Sequence, residues 1–222
     1  MAQAGARRTR WAPPGRRKTR TMTTTPTSRP AGDGRVPAAF TEPTATGQPD
    51  GSAVTMTPLA LAQTALSAEQ HRRVAIALFN RAWDLLEVTE RTPDLDDEML
   101  HTAHASRFHW TAAGGDVDRL ATGEWQCARV YAVLGRAEPA AWHAQRALAL
   151  CRAAGITGFL AGAACEALAR AALVGGDPEA ARRWAAQARG IAAELDDLED
   201  TEVLVADLDE LDRRLAATDG TG

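Results

Sequence analysis

Lysine is almost missing from this 222-residue chain: Lys18 is the only one among 25 basic side chains. With its abundant alanine, this reads as coding bias and carries no chemistry. Cysteine is also sparse. Cys127, Cys151 and Cys165 are an odd set without CxxC spacing, which excludes a disulfide framework and fits a reducing, cytoplasmic setting. No apolar run approaches the ~18 residues of a membrane span. The N-terminal arginine pairs are not followed by the apolar core of a secretory signal. Catalytic signatures are missing too. The chain has no G-x-S-x-G elbow, no phosphate-binding P-loop and no HExxH, and no cysteine shares a helical face with an activating histidine. Nor is there a strand-like alternation. The residues therefore point to an all-α protein that is not an enzyme of the usual kinds.

Charge is distributed unevenly. Residues 1–35 carry nine Arg/Lys against Asp33 alone, a balance of +8, whereas residues 36–222 carry 16 Arg and 28 Asp/Glu, a balance of −12. Residues 1–57 are rich in Arg, Thr, Pro, Gly and Ala, and their apolar residues have no period. Such a composition cannot bury enough surface to offset its ordering entropy, so a disordered basic tail is expected there. The competing reading of this stretch is that translation begins at Met22 or Met56. The helical domain is expected over 58–216, followed by a flexible end at 217–222. Its acidity argues against nucleic-acid binding except through the tail.

From Ala68 onward helical periodicity takes over. Val74, Leu78, Ala82 and Leu85 form the stripe of a helix expected over 68–91. Further helices are expected over 94–113, 117–135, 138–154, about 159–175, 178–194 and 198–216. Their punctuation is glycine at 114–115, 135, 155 and 175–176, with Pro93, Pro139 and Pro178 opening segments. The last segment sets Val203, Val205, Leu208, Leu211 and Leu215 among carboxylates, as a capping helix with a polar outer face would.

One spacing is written twice. Ala128, Tyr131, Gly135, Ala140, Ala144 and Ala147 recur at one constant offset as Ala169, Ala172, Gly176, Ala181, Ala185 and Ala188. A repeat of this size marks stacked helical hairpins. The copy at 125–148 resembles the tetratricopeptide repeat family; the copy at 166–188 does so less fully, because Ala172 replaces the aromatic. The period is longer than the family's, with the extra length around Gly155–Gly158, and the family's terminal proline is absent. The resemblance implies a right-handed stack of about three antiparallel helix pairs with a C-terminal cap. It also implies a concave groove lined by the first helix of each pair, with Trp125, Arg129, Glu166 and Arg170 at the groove face. Two arginines in equivalent places suit a carboxylate or an acidic peptide, since guanidinium grips carboxylate in a fork. The competing reading is internal: Arg129 and Arg170 pair with Glu166 and Glu124 inside the scaffold.

The helix at 94–113 is chemically unusual. Asp97, His101 and His104 share one face, an arrangement that could offer three ligands to a divalent metal. His109 points away, and Glu124 or His143 could complete a site from neighbouring helices. The competing reading is a polar cluster in which the histidines and Arg107 tie this helix to the next around Glu124. Trp83, Trp110, Trp142 and Trp184 are expected in core and inter-pair packing.

The functional expectation is a non-enzymatic, cytoplasmic interaction or scaffold module. It would bind a protein or peptide tail, an acidic one by preference, with no membrane partner and no cofactor, and a homodimer is a compatible assembly. Two alternatives follow: a metal-binding helical protein using Asp97, His101 and His104, and a regulator whose basic tail gates its acidic domain.

Overall fold

A computed structural model of the chain describes residues 66–219. The described residues form seven α-helices and no strand. They are α1 (Ala68–Leu86), α2 (Pro93–Ala112), α3 (Val117–Val133), α4 (Ala137–Ala154), α5 (Phe159–Val174), α6 (Pro178–Ala193) and α7 (Leu198–Asp219). The expected tail at 1–57 lies outside the described residues.

Local chemistry sets the boundaries. Ser67 opens α1 with a reciprocal capping box: its hydroxyl accepts from the Gln70 amide, and the Gln70 side chain accepts from the Ser67 amide. Thr92, Asp116 and Asp177 cap α2, α3 and α6 in the same acceptor role. Four helices end on a left-handed glycine: Gly114, Gly135, Gly155 and Gly176, with φ between 66° and 76°. After each, the next amide reaches back to a carbonyl of the helix's last turn at 2.9 Å: Gly115 to Trp110, Arg136 to Tyr131, Ile156 to Cys151 and Asp177 to Ala172. This is the Schellman closure. The interval from Gly114 to Gly155 equals that from Gly135 to Gly176, and it is the offset found in the side chains. The backbone therefore carries the same period.

Two ends differ from expectation by three residues or more. The first helix stops at Leu86 rather than near 91, because the Arg91 guanidinium donates to the Val88 carbonyl and to Asp96 and folds the chain into a turn. The last helix continues to Asp219, past the expected end at 216. Buried Leu215 anchors it, and the Thr218 hydroxyl donates to the Leu215 carbonyl.

Consecutive helices pack along the chain, and the odd-numbered ones also meet one another: α1 with α3, α3 with α5, and α5 with α7. Helix α5 is the hub. Every residue from Ala161 to Arg170 is buried, and Ala171 with them. Its sequence is mostly Ala and Gly, so neighbours approach closely from several sides. A Cβ at Gly162 would meet Leu204 of α7 at 2.5 Å. Leu204, Leu208, Leu211 and Leu215 line one face of α7 and enter the main core beside Leu168, Ala185 and Ala188. α7 is thus an integral layer of the core.

Candidate functional site

Three features could carry function: an ion cluster beneath α7, a histidine–carboxylate cluster joining α2, α3 and α4, and an open groove along α4, α5 and α6.

The ion cluster contains the residues expected to line a peptide groove. Arg129 on α3 and Arg170 on α5 converge on Glu166, and both reach Asp207 on α7. Arg129 lies 3.1 Å from Glu166 and 3.2 Å from Asp207. Arg170 also pairs with Glu210 and donates to the Asp207 backbone carbonyl. Trp125, Glu166 and Arg170 are buried, and the Arg129 side chain is only 11 % exposed. The expected groove is therefore not open at these residues: the chain's own acidic helix lies across it. Burial by itself would lower the Arg170 pKa, but Glu166, Glu210 and Asp207 together raise it, so the guanidinium stays charged. The internal pairing differs from expectation in one detail, since both arginines share Glu166 and neither takes Glu124. Glu166 Oε2 and the Trp125 indole nitrogen are buried without a hydrogen-bond partner.

Glu124 anchors the second cluster. It is buried on α3 and accepts from Arg107 of α2 at 3.0 Å, and from His143 Nδ1 at 2.6 Å and Arg146 at 3.3 Å, both on α4. Burial pushes its pKa up, but the His143 hydrogen bond and the Arg107 charge outweigh this and hold the carboxyl below its usual range. Beside it, His104 Nε2 lies 2.9 Å from the Tyr131 hydroxyl, and the Tyr131 ring stacks on His143 at 5.5 Å. Burial lowers the His104 pKa and the neighbouring His143 lowers it further, so this imidazole favours its neutral form.

The structure brings His104, Glu124 and His143 together but not the whole expected set. Asp97 and His101 are exposed. His109 faces the opposite way, its Nδ1 2.8 Å from Nδ1 of buried His71 on α1. Among the described residues, no three His, Cys, Asp or Glu side chains are grouped to hold a metal ion. His104 is turned to a phenol, and His143 is already committed to Glu124. Trp142 also departs from the expectation of core packing. It is 49 % exposed on the outer face of α4, with the Arg146 guanidinium 4.7 Å over its ring. The three thiols are unpaired and buried; burial pushes Cys127 to about 12 and Cys151 to about 11, leaving neither nucleophilic.

The groove is a feature the sequence reading misses. It holds about 420 Å³, within the range of ligand-sized clefts. Leu168 and Ala172 of α5 form its floor, Trp184 of α6 one wall, and Ala141 and Gln145 of α4 the other. The charged residues of its lining, Glu138 and Asp177, are both acidic. Its signal in the sequence is the missing aromatic at Ala172, which registers as a weaker repeat and not as a space.

No helix among the described residues is long and apolar enough to cross a membrane. Comparison with protein-family models, curated proteins and solved structures finds no match in any of the three.

Proposed function

We propose that the protein is a non-enzymatic interaction module of tetratricopeptide-like form, which holds a protein segment in the groove along α4, α5 and α6. One observation carries this reading. The groove is open, apolar at its floor and acid-rimmed, whereas the arginine face that could have taken an acidic peptide is covered by α7. Three further features support it. Left-handed glycines recur at a fixed period. The odd-numbered helices meet in succession, as in stacked hairpins. The buried carboxylates Glu124 and Glu166 are engaged in ion pairs, and burial holds the Cys127 thiol protonated.

The test is capture by the full chain. The immobilised protein is expected to retain specific partners from a lysate of its source organism, identified by mass spectrometry. Ala172→Tyr, which fills the groove floor, should remove them, while Arg183→Ala on the exposed face of α6 should not. Capture that survives Ala172→Tyr in a folded variant would show that the partner binds elsewhere.

A further inference from the structure

The groove is the second copy of a site that is filled in the first. One repeat period before Gln145, Ala172 and Trp184 stand His104, Tyr131 and His143. Those three side chains are in mutual contact: the Tyr131 ring stacks on His143 and its hydroxyl meets His104. On the same two helices as His104 and Tyr131, Leu100, Cys127 and Val130 belong to one hydrophobic cluster. Their counterparts Ala141, Leu168 and Ala171 line the groove. The two sites therefore occupy equivalent places in the repeat but are lined by different side chains, with Trp184 where the first has His143 and Ala172 where it has Tyr131. Tyr131 occupies the first, whereas Ala172 leaves the second open. The first copy thus accommodates an aromatic ring at this place in the repeat, and in the second Gln145 stands where His104 meets that ring's hydroxyl.

Charge narrows the occupant. The groove's rim carries Glu138 and Asp177, so the aromatic residue should be flanked by cations. This chain has such a segment outside the described residues: Trp11 stands between Arg7, Arg8 and Arg10 on one side and Arg16, Arg17 and Lys18 on the other. Residues 12–66 connect it to the helical domain. A coil of roughly 55 residues spans roughly 40 Å r.m.s., enough to reach across a domain whose radius of gyration is about 15 Å. We infer that the Trp11 segment docks in cis in this groove, its indole in the place that Tyr131 holds in the first copy and its arginines against the acidic rim. An indole presents a large rigid ring and one N–H, for which Gln145 in the groove lining offers an amide carbonyl. The inference rests on the interaction-module reading of the same groove and makes that groove self-occupied until a competing aromatic segment displaces Trp11.

The experiment uses the full chain with p-benzoylphenylalanine at position 11, irradiated at low concentration as an equal mixture of light and heavy isotope-labelled protein. Cross-links are expected within single chains, to residues of 137–145 and 168–184. Their yield should fall roughly ten-fold or more when Ala172→Tyr fills the slot, the scale of losing an anchoring aromatic. Glu138→Arg, at an exposed position, is expected to lower the yield as well and serves if Ala172→Tyr melts early. Links scattered over other helices, links between light and heavy chains, or yields unchanged by both variants would each overturn the inference. Partner capture that persists while these links fail would leave the module reading standing and remove only Trp11 as the occupant.

Discussion

His143 Nδ1 lies 2.6 Å from Glu124 Oε2, and both side chains are buried between α3 and α4. Glu124 is also the acceptor for Arg107 and Arg146, so one carboxylate ties three helices together. Removing it strands His143 and Arg107, which are largely shielded from water, while the half-exposed Arg146 can re-solvate. Glu124→Ala is expected to cost about 3–5 kcal/mol, the scale of breaking a buried pair from one side. Urea unfolding should show this as a lower midpoint at an unchanged slope. A loss under about 1 kcal/mol would mean that the partners re-solvate freely and that the cluster is peripheral.

The same carboxylate sets an acid limit. Its pKa is depressed in the folded chain, where the His143 bond and the Arg107 charge overcome burial. The unfolded chain therefore takes up the proton first as pH falls. The stabilisation is fully present above the unfolded value of about 4.3 and is lost as pH drops through the lower folded value. Glu124→Gln should flatten the stability–pH curve in that acid range.

The histidines act in a second window. Burial lowers the His104 pKa, and His143 lowers it further; burial and then His71 lower that of His109. Both shifts favour the neutral imidazole in the folded chain. Their contribution is present above the unfolded value of about 6.5 and is lost as pH falls toward the folded values. The His71–His109 contact needs one nitrogen to accept, so protonating both rings breaks it. Melting temperature should decline from about pH 7 to about pH 5.5, and His104→Asn with His109→Asn should flatten that decline.

The fold was legible because local signals agreed. Pro93 and Pro178, and glycines at 135, 155 and 176, stand where helices begin and end, and one repeat spacing is present in backbone and side chains alike. What failed was the inference from face to exposure. A helical wheel can put Arg129 and Arg170 on one side, but it cannot say that α7 lies over that side. That placement depends on Leu204, Leu208 and Leu211 reaching α5 from the chain's far end. The α4–α6 groove was hidden for the opposite reason: it is made by an absent side chain at Ala172, and periodicity records what is present. Arg91 ended α1 through a side-chain bond that propensity does not encode.

Helix α7 is predicted to be essential to the domain. It supplies four leucines to the core and the carboxylates of Asp207 and Glu210 to Arg129 and Arg170. Leu208 is fully buried, and Leu208→Ala should cost about 2–5 kcal/mol. A chain ending at Asp197 should melt earlier and bind a hydrophobic dye. A synthetic peptide of residues 198–219 should raise its melting temperature again as peptide is added, because a ligand of the folded state stabilises by mass action. Failure of the peptide to raise it, with the truncated chain still helical, would make α7 an appendage rather than a layer.

The glycines at the two repeat turns give the last expectation. Gly135 and Gly176 adopt φ of 71° and 76°, and a Cβ at either meets no atom within 4 Å. Space is therefore not the constraint; backbone conformation is. An L-residue in the left-handed region costs roughly 1–2 kcal/mol relative to glycine, so Gly135→Ala and Gly176→Ala should each destabilise by about that amount. Asparagine, which tolerates this region better, should cost less than alanine at both sites. The two turns serve equivalent places in the repeat and lie in separate loops, so the double alanine variant should lose the sum of the single losses to within about 0.5 kcal/mol. Denaturant unfolding of the parent, the two single variants and the double measures this directly. An alanine variant as stable as the parent at either position would show that its turn relaxes out of the left-handed conformation.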